Sequence, residues 1–260
     1  MDGISVFPNP RRRATIRAMQ RIDKTPKEME KETRVHSMFA DISGKYDLLN
    51  ALLSAQRDRA WRRFAVDKCL LRPGDCAVDV CAGTGDISIE LARRVGTGGK
   101  VIGVDFTYEM MEIGQEKVAR KGLEAQIEFV QANAEGMPFD DDTFVAATNG
   151  FAMRNVASIE RALREMRRVV RPGGRVVVLE LAKPQIPVIR SLYDPYFYHV
   201  VPMIGRVVGG NGGAYKYLPN SLTHFPPRRE ILGIFAAVGL RSAKCYDLTL
   251  GVATVFVGVK

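Results

Sequence analysis

From residue 75 onward, short apolar runs of strand length alternate with stretches in which apolar residues recur every three to four positions. The strand-like runs are 76–81, 100–105, 127–131, 143–149 and 175–181, and the helical stretches between them are 87–95, 108–121 and 159–170. Ile159, Leu163, Met166 and Val170 share one helical face, which packs on a sheet. Such alternation predicts an α/β fold, parallel strands with helices on both faces. Gly122 stands where a helix must stop, and Arg171-Pro172-Gly173-Gly174 ends the later helix and turns the chain into the next strand. Runs 244–248 and 252–259, joined by Thr249-Leu250-Gly251, read as a hairpin that finishes the sheet with an antiparallel strand. Residues 32–70 look largely helical and 184–227 are rich in Pro, Gly and Tyr, so these two segments are the natural covers for a substrate. The expected organisation is an arm, 1–31, and one domain, 32–260.

Composition narrows this picture only slightly. At 260 residues and 46% hydrophobic content the chain suits one large domain, and no apolar run reaches the length of a membrane span. Cys69, Cys76, Cys81 and Cys245 form no Cys-x-x-Cys pair, and none of the three histidines follows them at ligand spacing. That pattern implies a reducing, cytoplasmic setting and no metal site. The net charge of +9 suits nucleic acid, an anionic membrane surface or an acidic substrate without choosing among them. Arg11, Arg12, Arg13, Arg17 and Arg21 make the first residues a basic arm; an organelle transit segment is a weaker reading because Asp2 and the shortage of serine oppose it.

The chemistry gathers at strand ends, where an open parallel sheet binds its ligands. Residues 78–86, Val-Asp-Val-Cys-Ala-Gly-Thr-Gly-Asp, read as a buried strand holding Asp79 and running into a glycine turn. Gly83 and Gly85 let the backbone turn tightly and approach a ligand closely. Asp105, at the end of the second strand, can accept hydrogen bonds from both hydroxyls of a ribose. A nicotinamide dinucleotide fits poorly, since Ser88 breaks the Gly-x-Gly-x-x-Gly pattern and Asp86 would repel a diphosphate. After the third strand, Gln131-Ala132-Asn133-Ala134-Glu135 offers an amide and backbone N–H groups to the edge of an adenine ring. Each piece is common in α/β proteins; their order and spacing are the informative part, and they favour S-adenosylmethionine.

With Tyr46-Asp47-Leu48-Leu49-Asn50, Gly83-Thr84-Gly85-Asp86, Asn133-Ala134-Glu135, Phe151-Ala152-Met153-Arg154-Asn155-Val156 and Arg171-Pro172-Gly173-Gly174 in view, the chain resembles the ubiquinone/menaquinone biosynthesis C-methyltransferase family over about residues 32–260. The resemblance implies a class I S-adenosylmethionine-dependent methyltransferase (Rossmann-like) fold, with a seven-stranded, mostly parallel sheet. It implies that Thr84, Asp105, Asn133 and Ala134 contact the cofactor, beside Asp79, Gly83 and Gly85 of the first strand and its turn. A further family contact, often a serine after the fourth strand, falls on Gly150, and a histidine near the end is replaced by Phe256. The implied substrate is a prenylated quinol, either demethylmenaquinol or the benzoquinol of ubiquinone biosynthesis.

Methylating a ring carbon requires a neighbouring hydroxyl to lose its proton, and a guanidinium beside that oxygen favours the ionised form. Arg154 is the candidate, with Asp105 or Tyr46 completing the relay; the plainer alternative is that Arg154 pins a loop by ion pairing. Tyr46 and Asp47, together with Tyr193, Tyr196, Tyr198, Tyr215 and Tyr217, are expected either over the site or in packing. Val200-Val201-Pro202-Met203-Ile204, followed by Arg206, fits a peripheral membrane contact or a homodimer contact equally well. A nucleic-acid substrate is disfavoured, because Asn149-Gly150-Phe151-Ala152 lacks the prolines of exocyclic-amine methylation and no proline precedes a cysteine.

Overall fold

The computed structural model describes residues 23–196 and 221–260, together with residues 199 and 203. Among them the strands are β1 (Cys76–Val80), β2 (Lys100–Asp105), β3 (Ile127–Gln131), β4 (Phe144–Gly150), β5 (Val170–Leu181), β6 (Arg241–Leu248) and β7 (Ala253–Val259). They form one seven-stranded sheet in the order β3-β2-β1-β4-β5-β7-β6. The first five strands run parallel, and β7 is antiparallel to both β5 and β6. Strand order reverses between β1 and β4, so their carboxyl ends open a crevice.

Helices α3 (Arg57–Asp67), α4 (Asp86–Val95) and α5 (Tyr108–Ala119) cover one face, and α6 (Ile159–Val169) and α8 (Arg228–Ala237) the other. The strand pattern explains why two faces are needed. Val78 and Val80 of β1 join Leu163, Met166 and Phe235 in one core, while Ala77, on the opposite side of the pleat, joins Trp61, Leu91 and Val95 in the other. Both faces are apolar, as buried parallel strands require. Two further helices, α1 (Pro26–Ile42) and α2 (Tyr46–Leu53), lie over the crevice end, and α7 (Pro187–Pro195) follows β5.

Three boundaries differ from the pattern reading, each for a local reason. Helix α1 starts within the segment assigned to the arm, because Thr25 and Glu28 form a capping box ahead of Pro26. Val170 belongs to β5 rather than to the preceding helix: it pairs with Phe144, and Arg171 to Gly174 form a bulged excursion inside the strand. A Cβ at Gly174 would lie 2.5 Å from the Val145 carbonyl oxygen, so the ladder tolerates only glycine there. Strand β6 begins at Arg241, with an irregular register before Lys244. No helix among the described residues is long and apolar enough to cross a membrane.

Candidate active site

The crevice holds a cavity of about 120 Å³ whose wall includes Tyr46, Asp79, Gly83, Thr84, Asp105, Asn133, Ala134 and Gly150. Residues far apart in the chain are thus brought together, as the strand-end reading expects. Gly85 and Arg154 are not on this wall. Gly85 adopts φ +79°, and a Cβ there would lie 2.8 Å from the Phe129 ring, so its role is to let the turn close against the neighbouring layer. At the ends of β1 and β4, Cys81 and Phe151 both have φ +58°, left-handed backbone that side chains rarely adopt. This strain sits on both sides of the order reversal, where ligands bind.

Asp105 is buried and accepts from the backbone N–H of Gly83 (2.7 Å) and of Thr107 (2.8 Å). Burial pushes its carboxyl pKa up while those N–H groups pull it down. A carboxylate has about four acceptor positions, so it holds the turn in place and can still accept from ligand hydroxyls. Asp79 lies deeper, with Ser88 Oγ (2.7 Å) and Thr148 Oγ1 (2.9 Å) donating to it. Its burial outweighs those hydroxyls and raises its pKa to about 7. Asp86 goes the other way: burial opposes ionisation, but Arg62 and Lys117 outweigh it and the pKa falls.

Two expected contacts are already engaged. The Thr84 hydroxyl donates to Asp47 of α2 (2.6 Å) and accepts from Lys117 (3.1 Å), which also pairs with Asp47 at 2.6 Å. Thr84 therefore ties α2 to the glycine turn. The Asn133 amide accepts from the Glu135 N–H (2.9 Å) and donates to Glu32 of α1 (3.1 Å), so it ties α1 to the loop after β3. Glu32, His36 and Phe39 of α1, Arg62 of α3 and Phe106 beyond β2 also line the wall; the sequence reading offered 32–70 as a cover without singling out these residues. Only Phe106, next to Asp105, carried a local signal; the α1 residues reach the cavity because Arg161 binds Glu28 and Glu135 together and Lys31 donates to the Val156 carbonyl, docking α1.

Gly150, where a serine is expected, has a packing cause. A Cβ there would fall 2.2 Å from Ile87 Cδ1, and Ile87 also lines the cavity. Gly150→Ala is expected to push that methyl into the cavity and weaken cofactor binding by about 1 kcal/mol, with Ile87→Val restoring it in the double variant. Titration calorimetry on both variants measures this. Phe256 is likewise a core residue, 1% exposed and 6.2 Å from the Phe235 ring, remote from the cavity wall.

Arg154 lines a second cavity of about 340 Å³, and Phe151 belongs to both walls. Arg154 thus lies next to the cofactor cavity rather than on its wall. The new wall is largely apolar, with Leu53, Trp61, Leu181 and Val252, and includes Tyr193 and Tyr196. Arg154 pairs through Nη1 with Glu180, a fully buried carboxylate in β5, and its backbone N–H donates to the same carboxylate (3.2 Å). Its side chain is only 8% exposed, yet Nε is buried with no partner among the described residues. The loop-pinning ion pair thus exists and still leaves one donor unused. Tyr46 is a poor base, since burial raises its phenol pKa further. Tyr198, Tyr215, Tyr217 and all of 200–204 except Met203 lie outside the described residues.

Among solved structures, this fold is similar to an S-adenosylmethionine-dependent methyltransferase from Thermotoga maritima (TM-score 0.61, 20% identity, covering 87% of this chain and 99% of that one). It is also similar to a geranyl diphosphate methyltransferase in complex with S-adenosylmethionine (TM-score 0.57, 19% identity, 77% and 84%). In sequence, the ubiquinone/menaquinone biosynthesis C-methyltransferase UbiE of Geotalea daltonii is 42% identical over 231 residues, 89% of this chain and 98% of the relative. The demethylmenaquinone methyltransferase of Bacillus cytotoxicus is 41% identical over 233 residues, 90% and 98%. The model of the ubiE/COQ5 methyltransferase family matches residues 27–260, nearly the whole described chain. The chain belongs to the ubiE/COQ5 methyltransferase family, and it is an S-adenosylmethionine-dependent methyltransferase.

Proposed function

We propose that the enzyme transfers a methyl group from S-adenosylmethionine to a ring carbon of a prenylated quinol, converting demethylmenaquinol to menaquinol. The observation that carries this is Arg154: a buried guanidinium with an unpartnered Nε, in a residue that lines an apolar cavity sharing Phe151 with the cofactor cavity. The relatives support it, since both names above include menaquinone and only the first includes ubiquinone.

The first cavity suits the methyl donor by its chemistry. Glu32, Asp79, Asp105 and Glu135 give it an acidic wall, apt for a ligand that carries a sulfonium and an ammonium. When bound, S-adenosylmethionine supplies an electrophilic methyl group. Asp105 would hold the ribose hydroxyls, Asp79 would answer the ammonium, and the backbone at Asn133 and Ala134 would meet the adenine edge. Phe106 and Met110 add apolar wall.

On the acceptor side, a phenol-like hydroxyl with pKa near 10 is about 0.1% ionised at pH 7, so ionising it costs about 4 kcal/mol. Arg154, held in orientation by Glu180, would offset much of that by donating its free N–H to the ring oxygen. The proton would leave to water. Asp105 is less suited to the proton relay than expected, because two of its acceptor positions hold the turn and the ribose hydroxyls would take the rest. The apolar wall excludes competing water and aligns ring carbon with methyl, which supplies much of the remaining rate.

A prenyl tail calls for access to a bilayer, and a peripheral contact is part of this reading. Leu48 and Leu52 of α2 are 61% and 47% exposed, and a cleft that Asp47 and Ala51 of the same helix help to line carries seven cations, among them Arg59, Arg63, Arg120 and Lys121, against four carboxylates, a net positive surface suited to anionic headgroups. The substrate reading is tested with radiolabelled S-adenosylmethionine and two acceptors, demethylmenaquinol and a demethylated benzoquinol precursor. Faster labelling of demethylmenaquinol is expected; exclusive labelling of the benzoquinol would reassign the ring, and labelling of neither would remove the quinol.

A further inference from the structure

The cations of the cleft beside α2, about 630 Å³ in volume, sort into two sets. Three are paired. Lys117 binds Asp47 (2.6 Å) and Asp86 (2.7 Å), the buried Arg62 binds Asp58 and, at 3.3 Å, Asp86, and Arg93 binds Glu90. The other four, Arg59, Arg63, Arg120 and Lys121, are exposed and form no ion pair among the described residues. Arg62 and Asp86 also line the cofactor cavity, so the two hollows share one ion pair. Lys117 donates to the Thr84 hydroxyl of the glycine turn (3.1 Å), which makes a second link between them.

Four unpaired cations call for an anion, and the neighbouring surface says which. Leu48 and Leu52, exposed and one turn apart on α2, stand next to Asp47 and Ala51 of the cleft wall, so apolar side chains and cations border one another as at a lipid interface. A nucleic acid would need rings on which its bases stack, and no aromatic side chain lines this cleft among the described residues. We propose that an anionic phospholipid headgroup in the cleft strengthens the enzyme's hold on S-adenosylmethionine, so that the form loaded with the methyl donor is the one that docks on the bilayer. This rests on the peripheral contact read above and deepens it. The headgroup phosphate competes with Asp47 and Asp86 for Lys117 and Arg62. Burial opposes ionisation of Asp86, and those two cations hold it ionised nonetheless. Drawing them toward a phosphate leaves more negative charge uncompensated on the cofactor side, where a sulfonium gains from it. S-adenosylhomocysteine has lost that positive charge and gains little. Coupling of this kind is reciprocal, so the cofactor strengthens docking by the factor that docking strengthens the cofactor.

The test is flotation of the full chain with vesicles of phosphatidylcholine alone and of equal phosphatidylcholine and phosphatidylglycerol, without ligand, with saturating S-adenosylmethionine and with saturating S-adenosylhomocysteine. Binding is expected to the mixed vesicles, weakening with added salt. S-adenosylmethionine should tighten it about five- to tenfold and S-adenosylhomocysteine by less than about twofold. Replacing Arg59, Arg63, Arg120 and Lys121 by glutamine should weaken vesicle binding about fivefold per residue and leave cofactor affinity in free solution unchanged. Leu48→Ser with Leu52→Ser should weaken binding while keeping its salt dependence; melting temperatures confirm that these variants are folded. Equal vesicle binding with both forms of the cofactor would overturn the coupling and leave the contact standing. Binding that survives the four glutamines would place the contact elsewhere and overturn the proposal. Polyuridylate bound more tightly than the vesicles through the same four cations would also overturn it, making the occupant a nucleic acid. Binding to neither kind of vesicle would remove the proposal and the peripheral contact together.

Discussion

Arg154→Lys is expected to lower kcat about a hundred- to a thousandfold while the dissociation constant of S-adenosylmethionine stays within about twofold. Lysine preserves the positive charge that the fully buried Glu180 requires, so the fold survives. An ammonium has no planar fork, however, and cannot pair with Glu180 through one nitrogen while presenting a second, fixed N–H to the ring oxygen. Arg154→Ala would confuse matters, because it leaves Glu180 buried and unpaired at a cost of about 3–5 kcal/mol of stability. Stopped-flow turnover with saturating cofactor measures the effect. A kcat within about threefold of the unaltered enzyme would reduce Arg154 to a pin for Glu180.

The other large effect falls on Asp79, where stability and function should separate. Folding raises its pKa from 3.8 to about 7, chiefly by burial. The folded state therefore favours the neutral carboxyl. Stability from this group is fully present below about pH 4 and is lost as pH climbs through about 7, a total of about 4 kcal/mol by linkage. Asp79→Asn removes the titration, so the ligand-free variant should melt higher than the unaltered protein at pH 8, with the gap closing toward pH 5. Cofactor affinity should move oppositely, since the ligand's ammonium loses its counter-charge. For the unaltered enzyme the dissociation constant should rise about tenfold between pH 8 and pH 6, where Asp79 is mostly neutral, and the variant should bind weakly and without that slope. Differential scanning fluorimetry and calorimetry across pH decide it. A variant that melts lower at every pH would show that the buried charge is not the penalty described.

The sheet was legible because its signal is local: Val78 and Val80 against Ala77 declare a strand buried on both faces without reference to any other segment. Gly83, Asp105 and Asn133 were legible for a related reason, since in an open parallel sheet a strand end is already a location. The position of Arg154 past the end of β4 was legible, but its opening onto a separate chamber was not, because nothing local says that Phe151 forms a wall shared by two cavities. Residues 32–70 were legible as a cover, but not which side chains would line the cavity: the places of Glu32, His36 and Arg62 depend on α1 and α3 docking through pairs more than a hundred residues apart in sequence, such as Glu28 with Arg161 and Trp61 with Thr249. The same distance hid the engagement of Thr84 by Asp47. Gly150 and Phe256 looked like functional departures; each answers to a packing neighbour, Ile87 in one case and Phe235 in the other.

Where the methyl group lands is the most direct measurement of the chemistry. With ¹³C-methyl S-adenosylmethionine and demethylmenaquinol, NMR of the extracted product distinguishes a methyl bound to a ring carbon from one bound to oxygen. An aryl C-methyl product, lost with Arg154→Lys, is expected. An O-methyl ether, or a C-methyl product formed as fast without the guanidinium, would contradict it.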